Sequence, residues 1–132
     1  MFVPSVVLEE LSHPQAVAGV RAWLTHVPSW LVVEHVAETA DARLARLDPG
    51  ERQAIQLAQQ EHADLLLMDE KLGVRIAREQ GLAVTGTLGV LLQAGSRGLV
   101  DVERALADLD ATTFRCSRRV MEEMRRRAKA ST

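Results

Sequence analysis

The hydrophobic pattern alternates between short apolar runs and longer stretches with helical spacing. Met1 to Val3 is apolar and reads as a strand, broken by Pro4. "SVVLEEL" then opens a helix, with Ser5 as its cap. Residues 14–25, "PQAVAGVRAWLT", read as a helix in which Val17, Val20, Ala22 and Leu24 give a rough apolar face. "WLVVEHV", residues 30–36, is rich in β-branched residues and too short for a good helix. "AETADARLARL" predicts a weakly amphipathic helix. "LDPGERQAIQLAQQEH" is a clear helix start: Asp48 caps, Pro49 takes the first helical position, and Glu51 stands three after the cap. "DLLLM" predicts a strand buried on both faces, with Leu65 to Met68 as the most buried run of the sheet. "EKLGVRIAREQG" is a helix stopped by Gly81, "LAVTG" a short strand and turn, and "TLGVLLQAGSRG" a helix stopped by Gly98. "VDVERALADLDA" and a basic segment at 117–130, "SRRVMEEMRRRAKA", are two further helices.

Strands alternating with helices of ten or more residues predict an α/β fold with a small parallel sheet flanked by helices. Nothing marks a linker or repeat, so 1–132 reads as a single domain. No apolar run approaches the roughly 18 residues of a membrane span, and "MFVPSVVLEEL" lacks the form of a signal peptide. A cytoplasmic protein with no membrane partner is expected. A single cysteine, Cys116, excludes an internal disulfide and any cysteine-cluster metal site. The net charge of −2 hides an asymmetry. Residues 115–132 hold seven of the sixteen Lys and Arg and only two acids, whereas the first 114 residues hold nine bases and sixteen acids. A basic tail on an acidic body suits nucleic acid or an acidic partner protein, or is simply a solvated amphipathic helix.

The chemistry concentrates in the acids. In open α/β sheets, ligands sit outside the carboxyl ends of the strands, and Asp69 and Glu70 follow "LLLM" at such an end. A lone strand-end Asp is as readily a turn or cap residue. Glu51 lies in line with Ala54, Ile55 and Ala58, on the core-facing side of its helix, though it also fits a capping box. Glu10 lies between Val6, Val7 and Leu11 at helical spacing and leans inward, while Glu9 points outward. Carboxylates sharing one cleft repel unless a cation neutralises them, and oxygen-only ligation suits Mg²⁺ or Mn²⁺. Such ions activate water and stabilise charge in phosphodiester hydrolysis. His13, His26, His35 and His62 lack zinc-site spacing, and neither a P-loop nor a dinucleotide fingerprint is present. "LLLMD" and "VTG" also suit a receiver-like phosphorylation domain, but the acid pair that such a domain needs after its first strand is missing.

"FVPSVVLEEL" followed by "LDPGERQAIQLAQQEHADLLLMDEKLGVRIAREQGLAVTGTLGVLLQAGSRGLV" resembles PIN-domain proteins, and within them the VapC-like toxin ribonucleases. The resemblance is most specific over residues 47–100. It implies a three-layer α/β nuclease that cuts RNA with clustered acids holding Mg²⁺ or Mn²⁺, commonly paired with an antitoxin protein. It places Glu10, Glu51 and Asp69 as the catalytic and metal-ligating acids, with Glu70 assisting. Thr85 and Thr87 match a polar turn near the site, or cap the next helix. The family's sheet opens with an apolar strand ending in an Asp, and this sequence begins about where the second strand stands. Three expectations follow: an N-terminally truncated form with impaired cleavage, a form completed by another subunit as a homo-oligomer, or an inactive interaction module that binds an antitoxin, RNA or itself.

Overall fold

The computed structural model describes residues 1–131. It shows a mixed α/β chain with two small parallel sheets and, among the described residues, seven α-helices. The chain divides into two compact units, Met1–Val84 and a second from Thr85 onward.

In the first unit, β1 (Phe2–Pro4) pairs in parallel with β2 (Val32–Glu34), with Phe2 opposite Val32 and Pro4 opposite Glu34. Parallel neighbours need a long crossover, and α1 (Ser5–Leu11) and α2 (Ala18–Leu24) supply it. Then follow a single 3₁₀ turn at Ala42–Leu44, α3 (Pro49–Gln60), β3 (Leu66–Leu67), α4 (Lys71–Glu79) and β4 (Val84–Thr85), with β3 hydrogen-bonded to β4. Leu44, Leu47, Ile55, Ile76 and Ala77 form the buried core, and Leu66, Met68, Leu72, Leu82 and Val84 pack against it. α3 touches α1, β1, β3 and α4, so one helix braces elements of both sheets.

The second unit is helical beyond β4. It comprises α5 (Thr87–Ser96), α6 (Val102–Asp110) and α7 (Arg118–Ala130), which pack on one another around the fully buried Leu106. Asp101 caps α6 by accepting from the Arg104 amide at 3.2 Å, and Ser117 caps α7 by accepting from the Val120 amide at 3.2 Å. No helix among the described residues is long and apolar enough to cross a membrane.

Three expectations need correction. The run Leu65 to Met68 is not buried on both faces: Leu65 and Leu67 are each 46% exposed, while Leu66 and Met68 face the core. Side chains alternate along a strand, and the helices of this unit cover only one face of β3. "AETADARLARL" forms no α-helix. Its two buried leucines, Leu44 and Leu47, are three apart, the spacing that a 3₁₀ turn stacks. Ser5 does not cap α1: Pro4 takes that place directly out of the strand, and the Ser5 hydroxyl lies 3.5 Å from His35 Nδ1 instead.

The helix stops behave as the sequence predicts. Gly81 and Gly98 have φ of +82° and +69°. After α4, the Leu82 amide reaches the Ala77 carbonyl and the Gly81 amide reaches that of Arg78, and after α5 the Leu99 and Gly98 amides do the same with Ala94 and Gly95. Each is a Schellman closure. α3 ends the same way, with Ala63 bonded to Ala58, but the left-handed residue is His62 at φ +49°. A side chain there is strained where a glycine would not be.

His62→Gly is therefore expected to raise stability by about 0.5–1 kcal/mol, read from urea unfolding midpoints. In the same measurement Ile55→Ala, in the core, is expected to cost about 2–5 kcal/mol and the exposed Leu67→Ala less than about 1.

Candidate functional site

The site is built on the first turns of two helices. α3 opens with a complete capping box. The Glu51 amide donates to Asp48 Oδ1 at 3.0 Å, and the Asp48 amide donates to Glu51 Oε2 at 3.4 Å. The sequence reading of Asp48, Pro49 and Glu51 holds at each position. Glu51 is consequently committed to its own helix before any other role.

Gly50 lies between these acids and is buried. A Cβ placed on it would stand 2.9 Å from Glu10 Oε1 and 3.0 Å from Oε2. The carboxylate of Glu10, near the end of α1, thus lies directly against the first turn of α3, and would have to shift to admit a side chain at position 50. On the other side, the Glu51 carboxyl carbon is 3.7 Å from where a Cβ on Gly73 would be, in the first turn of α4. Glu70 is the cap residue of α4 but makes no side-chain capping bond. Glu51 therefore stands near the positive ends of two helices, which favour negative charge.

The acids perturb one another. Burial pushes the Glu51 carboxyl above its ordinary value of 4.5, and the charges of Asp48, Glu70 and Glu10 push the same way, opposed in part by the Asp48 amide. Burial, then the Asp48 charge, raises Glu10. Asp48, Glu70 and Glu10 are thus within electrostatic reach of Glu51, and Asp48 of Glu10. Asp69 is exposed and lines an open depression of about 600 Å³ with Lys71, Val74, Arg75, Arg78 and Glu79.

Carboxylate oxygens are the donors that Mg²⁺ or Mn²⁺ prefers. Their placement does not complete a site, however. Among the described residues, no group of three or more His, Cys, Asp or Glu side chains is arranged to hold one ion. The residues present therefore do not fit a bound metal as they stand.

Sequence reasoning treated Asp48 only as a cap and missed Gly50. A glycine inside the first turn of a helix, between Asp48 and Glu51, was the available signal. It also missed the cations beside Asp69, although Lys71, Arg75 and Arg78 share one helix face at i, i+4 and i+7. Neither Thr85 nor Thr87 caps α5: Gly86 takes that position without a side-chain bond. The extended backbone leaving β4 puts a residue with no donor or acceptor side chain at the cap.

A carboxyl whose pKa is raised by folding is held less favourably when charged. Its penalty is absent below the unfolded value of 4.5 and fully present above the folded one. Glu10→Gln is expected to raise the thermal midpoint at pH 7, with the gain vanishing as the pH falls toward 4. Thermal melts of both proteins across pH 4–8 check this. A gain that persists at pH 4 would point to packing instead.

Across the chain, a family model described as a PIN domain matches residues 1–130, spanning both units. Comparison with curated proteins and with solved structures gives no match. PIN domains are generally nucleases, commonly bind RNA and generally use divalent metal ions. The length of the match, with the α/β order of elements and acids gathered at the openings of α3 and α4, means that this chain belongs to the PIN-domain family.

Proposed function

We propose that this protein is a cytoplasmic ribonuclease of the toxin–antitoxin type, dependent on Mg²⁺ or Mn²⁺ and weak in cleavage. The observation that carries the reading is the Glu10 carboxylate lying on Gly50 in the first turn of α3, beside the Asp48–Glu51 capping box, where burial and neighbouring carboxylates raise the pKa of both glutamates. Charges kept together at a cost to the fold are a mark of a functional site. The acids assigned to the reaction are Glu10, Glu51 and Asp69. Lys71, Arg75 and Arg78 beside Asp69 offer charge against which a phosphodiester can lie. The weakness follows from the incomplete ligand set.

A second reading, an inactive module that pairs with itself or with an antitoxin, is favoured by the uncovered Leu65 and Leu67. β3 has one hydrogen-bonded neighbour, and an apolar strand with an open edge invites another strand. A second copy of the chain is the partner that this reading takes.

The discriminating experiment is cleavage of a mixed RNA pool with Mg²⁺ or Mn²⁺. It compares this chain with a version extended at its N-terminus by an Asp-bearing strand of the family type. Slow cleavage by the chain, at least about 10-fold faster cleavage by the extended form, and loss of both in Asp69→Asn are expected. Equal, Asp69-dependent rates in the two forms would show that the acids present already suffice. No cleavage by either form, together with a dimer in light scattering, would transfer the function to the second reading.

A further inference from the structure

Resting on the reading of this chain as an RNA-cutting scaffold, we propose that the exposed face of α7 is a docking surface for the phosphate backbone of RNA. Met121 and Ala128 are buried and Met124 half-buried, at i, i+7 and i+3, so one stripe of α7 turns toward α5 and α6. The rest of the circumference carries Arg118, Arg119, Arg125, Arg126, Arg127 and Lys129, all exposed, against only Glu122 and Glu123. A face stabilised for its own sake would pair its charges along the helix. Here Glu123 serves both Arg126 and Arg127, the latter at 3.0 Å, and Lys129 reaches Glu103 at 3.6 Å. Arg118, Arg119 and Arg125 have no carboxylate partner among the described residues.

The chemistry of the face selects the occupant. Arg118, Arg125 and Lys129 run along one row, and Arg119 and Arg126 along the next. Members seven apart are separated by about 10 Å along the axis. Five of these six cations and the preceding Arg115 are arginines, whose planar fork binds phosphate oxygens in pairs. Protein-binding surfaces are anchored by buried aromatic residues. α7 has none, and Val120 is its one exposed large apolar side chain, at 39%. Concentrated guanidinium charge without an apolar anchor suits a repeating anion whose binding releases counterions. Through Val84 the chain has seven Lys and Arg against twelve Asp and Glu, and from Thr85 onward nine against six, so this unit is the one a polyanion is drawn to.

The test is fluorescence anisotropy of a labelled single-stranded RNA with the full chain in EDTA, over a series of salt concentrations. EDTA stops divalent-dependent cleavage, so binding is read separately from catalysis. The triple variant Arg118→Gln, Arg119→Gln, Arg125→Gln is compared with Arg21→Gln, Arg46→Gln, Arg104→Gln, which removes the same net charge elsewhere. The α7 triple is expected to weaken binding at least 10-fold at low salt. Three lost phosphate contacts should make the slope of log affinity against log salt shallower by about 2. The control triple should leave the slope within about 0.5 of the original. Equal losses in both triples would reduce the effect to net charge and overturn the proposal, as would no loss in the α7 triple. Poly-glutamate displacing RNA at equal charge concentration would also overturn it, by assigning the face to an acidic protein. Binding lost with the α7 triple in a chain that never cleaves RNA would leave the docking face standing and remove the nuclease reading.

Discussion

The capping of α3 is the interaction on which the rest of the structure depends. Asp48 and Glu51 satisfy each other's amides across the first turn, and this fixes where the helix begins. That start places Gly50 under the Glu10 carboxylate and turns Glu51 toward Gly73 in the first turn of α4. The same helix carries Ile55, Leu57 and Ala58 into the interior, touching β1 and β3. One local bond pair thus sets both the core register and the position of the acids. It also resolves a competition that the sequence leaves open, because Glu51 belongs to the cap and to the acid group together. Burial, and then the charges of Asp48, Glu70 and Glu10, raise its pKa while the Asp48 amide lowers it.

A fold gains nothing from assembling like charges at the openings of α3 and α4. Helix ends temper the repulsion, by an amount that falls away within the first turn. Burial is the largest cause of the shifts at Glu10 and Glu51, so solvent does not relieve them fully. A hard cation would, yet no three ligands converge on one point among the described residues. Half-assembled polar sites are costly unless something else completes them. On the function proposed above, the acid group is one wall of a site.

Much of the architecture was legible because local signals and tertiary packing agreed. Pro49 after Asp48 and the glycines at 81 and 98 mark helix ends through backbone geometry alone. The predicted basic helix at 117–130 differs by one residue from α7 (Arg118–Ala130) because Ser117 is its cap. The burial of β3 failed because it depended on the number of faces covered. "LLLM" has the composition of a strand buried on both sides, but composition does not say whether a second layer exists. The left-handed His62 was invisible for a related reason: a Schellman closure forms whenever the following residue is pulled back to the helix, and here Ala63 bonds Ala58 without a glycine to ease the turn. The spacing of Glu10 predicts an inward lean, whereas the residue is exposed with its carboxylate resting on Gly50. Spacing gives the direction of a side chain from its own helix, whereas the partner that receives it lies some forty residues away.

The exposed leucines of β3 bear on function through solvation. A two-residue ladder contributes little hydrogen bonding of its own, so β3 is held chiefly by Leu66 and Met68 against the core. Leu65 and Leu67 then spend nearly half their surface in water with nothing in this unit to shed it. Phe2, Val32 and Val33 are similarly exposed on the other sheet, at 46%, 41% and 42%. Burying such side chains is worth roughly 25 cal/mol per Å², a driving force comparable in kind to the one that closes the core on α3. Both sheets thus leave large apolar side chains in solvent. Whatever supplies apolar cover to β3 also changes the surroundings of Asp69, two residues beyond Leu67. The exposed apolar side chains of β3 and the carboxylate of Asp69 thus share a single short segment, "LLLMDE".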